Sequence, residues 1–216
     1  YWRDWSSDVC SSDLGGFVYY NTKVLNKIVP SDEYERVQVD YEKKYRKYAA
    51  ITQPRIYRVN HIIDLNPKQL SLIAKSSVWV RNNSSEKIDE LHFAMPPEID
   101  SVVLFIKGSK LKLRDDRCHY RIYSLDKPMQ PQDSLSIEIK TVQAANGFEN
   151  EVSFTKLTQN GTFFSNYDIC PSIGYNEGYE ISDKNDRIKY KLPKKIRSPL
   201  LRSEEHTSEL QSRQYL

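Results

Sequence analysis

The chain has 216 residues, 28% of them charged and 38% hydrophobic, with 32 basic and 29 acidic side chains and a net charge of +3. That composition excludes a collagenous or disordered chain, and the length allows a core to form without disulfides or a structural metal. Only seven glycines are present, no uncharged apolar run approaches the roughly 20 residues that cross a bilayer, and neither a P-loop nor a G-x-S-x-G elbow occurs. Nucleotide-binding and serine-hydrolase readings therefore lack a starting point.

The two ends read differently from the middle. Residues Asp4 to Leu14 and Arg202 to Ser212 resemble translations of opposite strands of one sequencing-library adapter. Residues 1–14 and 202–216 are therefore set apart from fold reasoning as adapter-like artefact. Their removal takes away Arg3, Arg202, Arg213 and the acids Asp4, Asp8, Asp13, Glu204, Glu205 and Glu209, which leaves 29 basic and 23 acidic residues and a net charge of +6. Such a mildly basic balance is compatible with a membrane or nucleic-acid neighbour without requiring one. Cys10, Cys118 and Cys170 are widely spaced, so neither a disulfide framework nor a C-x-x-C pair exists.

In chain order, Gly15 to Tyr20 is short, apolar and aromatic, which suits either the interfacial end of a membrane helix or a buried strand or loop. From Ser31, read as an N-cap, Tyr34, Val37, Tyr41, Tyr45 and Tyr48 recur at helical spacing, with Asp32 and Glu33 in the first turn. This predicts an amphipathic helix that ends near Ala50. Beyond Gln53-Pro54 the period becomes two, in Tyr57, Val59, His61, Ile63 and Leu65. Further strand-like runs follow at Leu70 to Arg81, Lys87 to Ala94, Asp100 to Ile106, Cys118 to Leu125 and Ser134 to Val142. Turn signals separate them, which predicts a mainly β chain: an antiparallel β-sandwich preceded by one amphipathic α-helix. The expected domains are a linker and helix at 15–50, a sandwich at 51–182 and a charged linker at 183–201.

Chemistry-bearing patterns are sparse. No His-Glu-x-x-His string is present, and His61, His92 and His119 stand alone, so they read as structural or surface residues. Cys118 and His119 adjoin, but neighbours on a strand face opposite sides. Pro128-Met129-Gln130-Pro131 fits a P-x-x-P ligand formally and a turn entering a strand more simply. Asn83-Ser84-Ser85 and Asn160-Gly161-Thr162 satisfy the glycosylation pattern, though turn formation accounts for both. Tyrosines alternate with four basic residues from Tyr41 to Tyr48; helix packing explains this pattern, and contact with phosphates or lipid headgroups are the alternatives. No residue is assigned a catalytic, cofactor-binding or metal role.

Several strings taken together carry a resemblance. Phe17 to Asn26, Tyr41 to Tyr45, Gln53 to Ile56, Pro128 to Leu135, Asn146 to Phe148, Asn160 to Phe164, Pro171 to Tyr175 and Asp183 to Pro193 stand in the order and spacing of one family. They resemble the start of the peptidase-like part of bacterial proteins that fuse an ABC-transporter permease to an aminopeptidase N-like metallopeptidase. Lys191 departs from the pattern, where a small residue, usually glycine, precedes Leu192-Pro193. The resemblance implies a noncatalytic amino-terminal sandwich, with zinc in a following catalytic domain of the parent and none in this fragment. The implied partners are that zinc domain, the permease domain of the same parent chain and a peptide substrate of the parent; nucleic acid is not among them. It also implies a location at the bacterial cell membrane. The contrasting expectation is a free-standing β-sandwich binding module for protein or carbohydrate.

Overall fold

A computed structural model describes residues 13–25, 30–97, 99–145, 157 and 161–195. The chain divides into two compact units, Tyr1–Glu180 and Ile181–Leu216. In the first, residues 13–19 are helical and pass into a π-turn at Tyr20–Val24. Leu14, Phe17, Val18, Tyr19 and Tyr20 are exposed there, so Gly15 to Tyr20 is helix, not a buried strand. Among the described residues, no helix is long and apolar enough to cross a membrane.

Helix α1 (Ser31–Tyr45) continues into a 3-10 turn at Arg46–Tyr48. Pro30, not Ser31, holds the N-cap position, and its carbonyl accepts from the Glu33 and Tyr34 amides. The proline ring fixes φ near the value found there (−58°), so the helix starts one residue earlier than a serine cap predicts. Asp32 and Glu33 at the amino end and Lys43 and Lys44 at the carboxyl end suit the helix dipole.

Eight strands follow among the described residues: β1 (Arg55–Asn66), β2 (Ser71–Arg81), β3 (Ile88–Ala94), β4 (Ser101–Ile106), β5 (Ser109–Asp115), β6 (Tyr120–Met129), β7 (Ser134–Ala144) and β8 (Ser172–Ile173). They form two four-stranded sheets, ordered β1-β2-β7-β4 and β5-β6-β3-β8, and every pairing is antiparallel. The predicted sandwich is therefore the observed fold. Leu72, Val78 and Val80 of β2, Leu104 of β4 and Ile137 and Ile139 of β7 meet Leu91 and Phe93 of β3 and Tyr123 of β6 in one core. Each such fully buried side chain contributes roughly 1.5–3 kcal/mol. Phe93 and Tyr123 also pack edge to face at 5.7 Å.

Lys107-Gly108, a turn with Gly108 at φ +72°, carries the chain from β4 in the first sheet to β5 in the second. Two local readings change. Strand β5 lies outside the strand-like runs expected from the sequence, although Lys110, Leu111, Lys112, Leu113 and Arg114 alternate with period two. Strand β6 begins at Tyr120, not Cys118, and runs through Pro128 to Met129; the proline falls where pairing shifts between Ile88 and Glu90 of β3, so no ladder amide is lost. The actual turn lies at Gln130 to Asp133, where the Asp133 carboxylate accepts the Gln130 amide at 2.7 Å.

Buried Asn82 holds the neighbouring loop. Its side-chain amide donates to the Glu86 and Met129 carbonyls, and its Oδ1 accepts from the Ser84 amide and hydroxyl. A short helix, α2 (Asn166–Ile169), starts in a capping box between Ser165 and Asp168.

In the second unit, α3 (Lys184–Lys189) is capped by Asp183, whose carboxylate accepts the Asn185 and Asp186 amides. The helix ends with Lys191 N–H on the Ile188 carbonyl and Leu192 N–H on the Arg187 carbonyl, the double bond of a Schellman ending. Lys191 therefore sits at φ +55°, the left-handed region that favours glycine. This explains why a small residue suits that place. Lys191→Gly is expected to stabilise the helix end by about 1 kcal/mol, read as slower amide exchange at Tyr190 to Leu192. Unchanged or faster exchange would count against a strained ending.

Candidate functional site

The densest polar and aromatic assembly lies where α1 packs on the outer face of the second sheet. Strand β3 sends Leu91 and Phe93 into the inter-sheet core, and the intervening His92 and Ala94 to the helix side. Tyr45 stacks on Tyr120 with ring centroids 4.2 Å apart, and Tyr41 stacks on Tyr175 at 5.0 Å. The Tyr41 hydroxyl accepts the Asn176 amide at 2.8 Å, and Tyr120 OH lies 3.0 Å from His92 Nδ1. Burial pushes the hydroxyls of Tyr41, Tyr45, Tyr120 and Tyr175 above their ordinary range, so they remain protonated at neutral pH. Of the three readings of the tyrosine stripe, packing is the one this geometry displays.

A polar knot closes one side of that seat. Asp115 Oδ2 accepts from Lys44 Nζ at 3.0 Å and from Tyr45 OH at 2.7 Å, while Oδ1 accepts the Arg117 and Cys118 amides. Burial alone would raise the Asp115 carboxyl; the Cys118 amide, the Tyr45 hydroxyl and Lys44 outweigh it and hold it well below the usual carboxylate range. Cys118, 3.8 Å from Lys44 Nζ, is buried, and burial followed by the Asp115 charge pushes its thiol up to about 11. It is a protonated, unreactive thiol. Cys118 and His119 lie in the turn between β5 and β6, not on a strand; His119 is left-handed at φ +51°.

Two strings of the resemblance meet at β3. The Gln53 side chain accepts the His92 amide at 2.9 Å and donates to the Glu90 carbonyl at 3.0 Å, and the Gly174 amide donates to the His92 carbonyl at 2.8 Å. A Cβ on Gly174, at φ +87°, would lie 3.4 Å from Gln53 Cγ. Asn146 to Phe148 and Asn160 lie outside the described residues.

The structure also assembles a group that the sequence did not suggest. His61 Nδ1 is 2.7 Å from Ser76 Oγ, and its Nε2 is 3.3 Å from Asn166 Oδ1. The order serine, histidine, asparagine has the form of a nucleophilic relay. Ser76, however, is only 1% exposed and faces the core, so no substrate reaches its hydroxyl. Thr141 Oγ1 donates to the Ile169 carbonyl at 2.8 Å beside it, and the group serves to hold 165–170 against the first sheet.

A cleft of about 320 Å³ is lined by Asp100, Arg114, Asp115, Asp116, His119 and Arg121, among others. Its charges are engaged: Arg114 with Asp116 at 2.7 Å, Arg121 with the Val102 carbonyl at 2.8 Å, and Asp100 with the Ala144 amide at 2.6 Å. His61 lies against Ser76 and His92 against Tyr120, and among the described residues no three His, Cys, Asp or Glu side chains are grouped to hold a metal. Compared with known proteins, the chain matches no family model and no curated sequence.

Proposed function

We propose that this chain is a noncatalytic amino-terminal β-sandwich from a membrane-associated, zinc aminopeptidase-like protein linked to an ABC-transporter permease. The order of the family-like strings motivates the reading, and one structural observation supports its modular part. On the outer face of the first sheet, Ile62 and Phe105 are each 66% exposed and Val103 58%, with Ile73 also exposed. The strand register sets Ile73 opposite Val142, with Ile62 and Val103 on the diagonals and Phe105 next along β4. Outer positions of an isolated sandwich are ordinarily polar, so an apolar arc across four strands suits a face that another part of a larger protein covers.

Long-read sequencing of the source locus across both adapter-like junctions tests this directly. The reading frame is expected to run upstream into membrane helices and downstream into a His-Glu-x-x-His motif. The purified 216-residue chain is expected to bind no stoichiometric zinc and to cleave no aminoacyl anilide. A frame that starts and stops close to residues 15 and 201, or one tightly held zinc per chain, would overturn the proposal. The second reading is a binding module for protein or carbohydrate. Phe163 and Tyr167, 80% and 77% exposed, favour it as aromatic platforms.

A further inference from the structure

Strand β1 is the conspicuous open edge. Its twelve residues pair only with β2 among the described residues, and all but Val59 and His61 are exposed. The other three edges carry the devices that discourage pairing: β4 has six residues, β8 has two, and β5 presents Lys110, Lys112 and Arg114. Strand β1 has no lysine and no proline, and its irregularity at Ile56/Arg58 leaves Arg58 to Asn66 regular. It also exposes Tyr57, Ile62, Ile63 and Leu65.

We propose that β1 pairs antiparallel, edge to edge, with β1 of a second copy of this chain about a two-fold axis at His61, which joins two four-stranded sheets into one. The strand's own charge pattern selects this occupant. Arg58, Asn60, Ile62 and Asp64 lie opposite the outward residues Trp79, Ser77, Lys75 and Ile73 of β2 and so share the outer face. A two-fold axis perpendicular to the sheet keeps outer face with outer face only in registers centred on a residue. Of these, the register centred on His61 sets Arg58 opposite Asp64 of the second copy, twice by symmetry. It also sets Asn60 against Ile62 on that face, and Val59 against Ile63 on the inner one. Moving the centre by one residue either way separates the opposite charges. A self-complementary strand of this kind is what an isologous interface requires. The inference is independent of the parent assignment above.

Sedimentation velocity of the full chain over a concentration series tests the pairing, with circular dichroism to establish that each variant folds. The wild type is expected to show a concentration-dependent monomer–dimer equilibrium. Arg58→Asp or Asp64→Arg alone sets like charges opposite each other at two places and is expected to weaken association by about tenfold or more. The double swap restores the pairing and is expected to recover the dimer. Ile62→Lys, an added edge lysine that leaves the charge pair intact, is expected to give monomer. A wild type that stays monomeric overturns the proposal. So does a dimer indifferent to both single swaps, or a double swap that fails to recover.

Discussion

Tyr120→Ala is expected to lower the stability of the sandwich unit by about 4 kcal/mol, the largest effect of any single substitution at the helix seat. Tyr120 is fully buried and stacks on Tyr45, with Tyr41 edge to face at 5.9 Å and Tyr48 parallel at 6.5 Å. Truncation removes the ring on which α1 rests and leaves a cavity between helix and sheet that rigid strands cannot close. It also strips His92 of the hydroxyl that bonds Nδ1. Tyr120→Phe keeps the ring and loses only that bond, so its cost is expected to be about 1 kcal/mol. Urea unfolding followed by circular dichroism separates the two. If alanine and phenylalanine cost the same, the ring contacts do not hold the helix.

How much of this seat was legible depends on the distance in sequence over which each signal acts. The alternation in Leu72, Ala74, Ser76, Val78 and Val80 exposes β2 directly, because one face of the first sheet is solvated. The helical spacing of Tyr34, Tyr41, Tyr45 and Tyr48 likewise reveals a face, though not what it packs against. Its partners are Tyr120, Tyr175 and Asn176, brought together by strand pairing and by a return of the chain that no local pattern encodes. Strand β5 was legible in principle; its three basic residues masked a period of two that becomes clear once Leu111 and Leu113 are set against β6. The left-handed His119 is different. Its conformation follows from the Asp115 carboxylate gathering the amides of Arg117 and Cys118, so the turn tightens where an uninterrupted strand was expected.

The two sheets differ in how their outer faces are covered. The second sheet carries α1 and its tyrosine seat over Ala94, Tyr120 and Ile122 on its outer face, whereas among the described residues the first keeps an exposed outer face and one long exposed edge. The face and the edge are distinct surfaces there, and the β1 charge swaps separate them experimentally.

Acid is expected to unfold the chain in two stages. His92 and His119 both titrate below their ordinary value of 6.5, because burial disfavours imidazolium more than the nearby carboxylates favour it: Glu90 beside His92, and Asp116 and Asp115 beside His119. As pH falls through about 6.5, the unfolded chain takes up protons at both sites while the folded chain resists, so stability drops below that point. Asp115 acts in the same direction at lower pH. Its folded carboxyl titrates well below the ordinary 3.8, so the stability it supplies is complete above the unfolded value and is lost as pH falls beneath it. Urea midpoints should therefore be steady above pH 7, begin to fall as pH drops through about 6.5, and fall further below about pH 4. His119→Asn, which tolerates the left-handed backbone, should remove part of the first decline and leave the second. Asp115→Asn should do the reverse, at the cost of a lower midpoint at neutral pH. A midpoint that does not change from pH 7.5 to 5 would mean that neither histidine is held neutral by the fold.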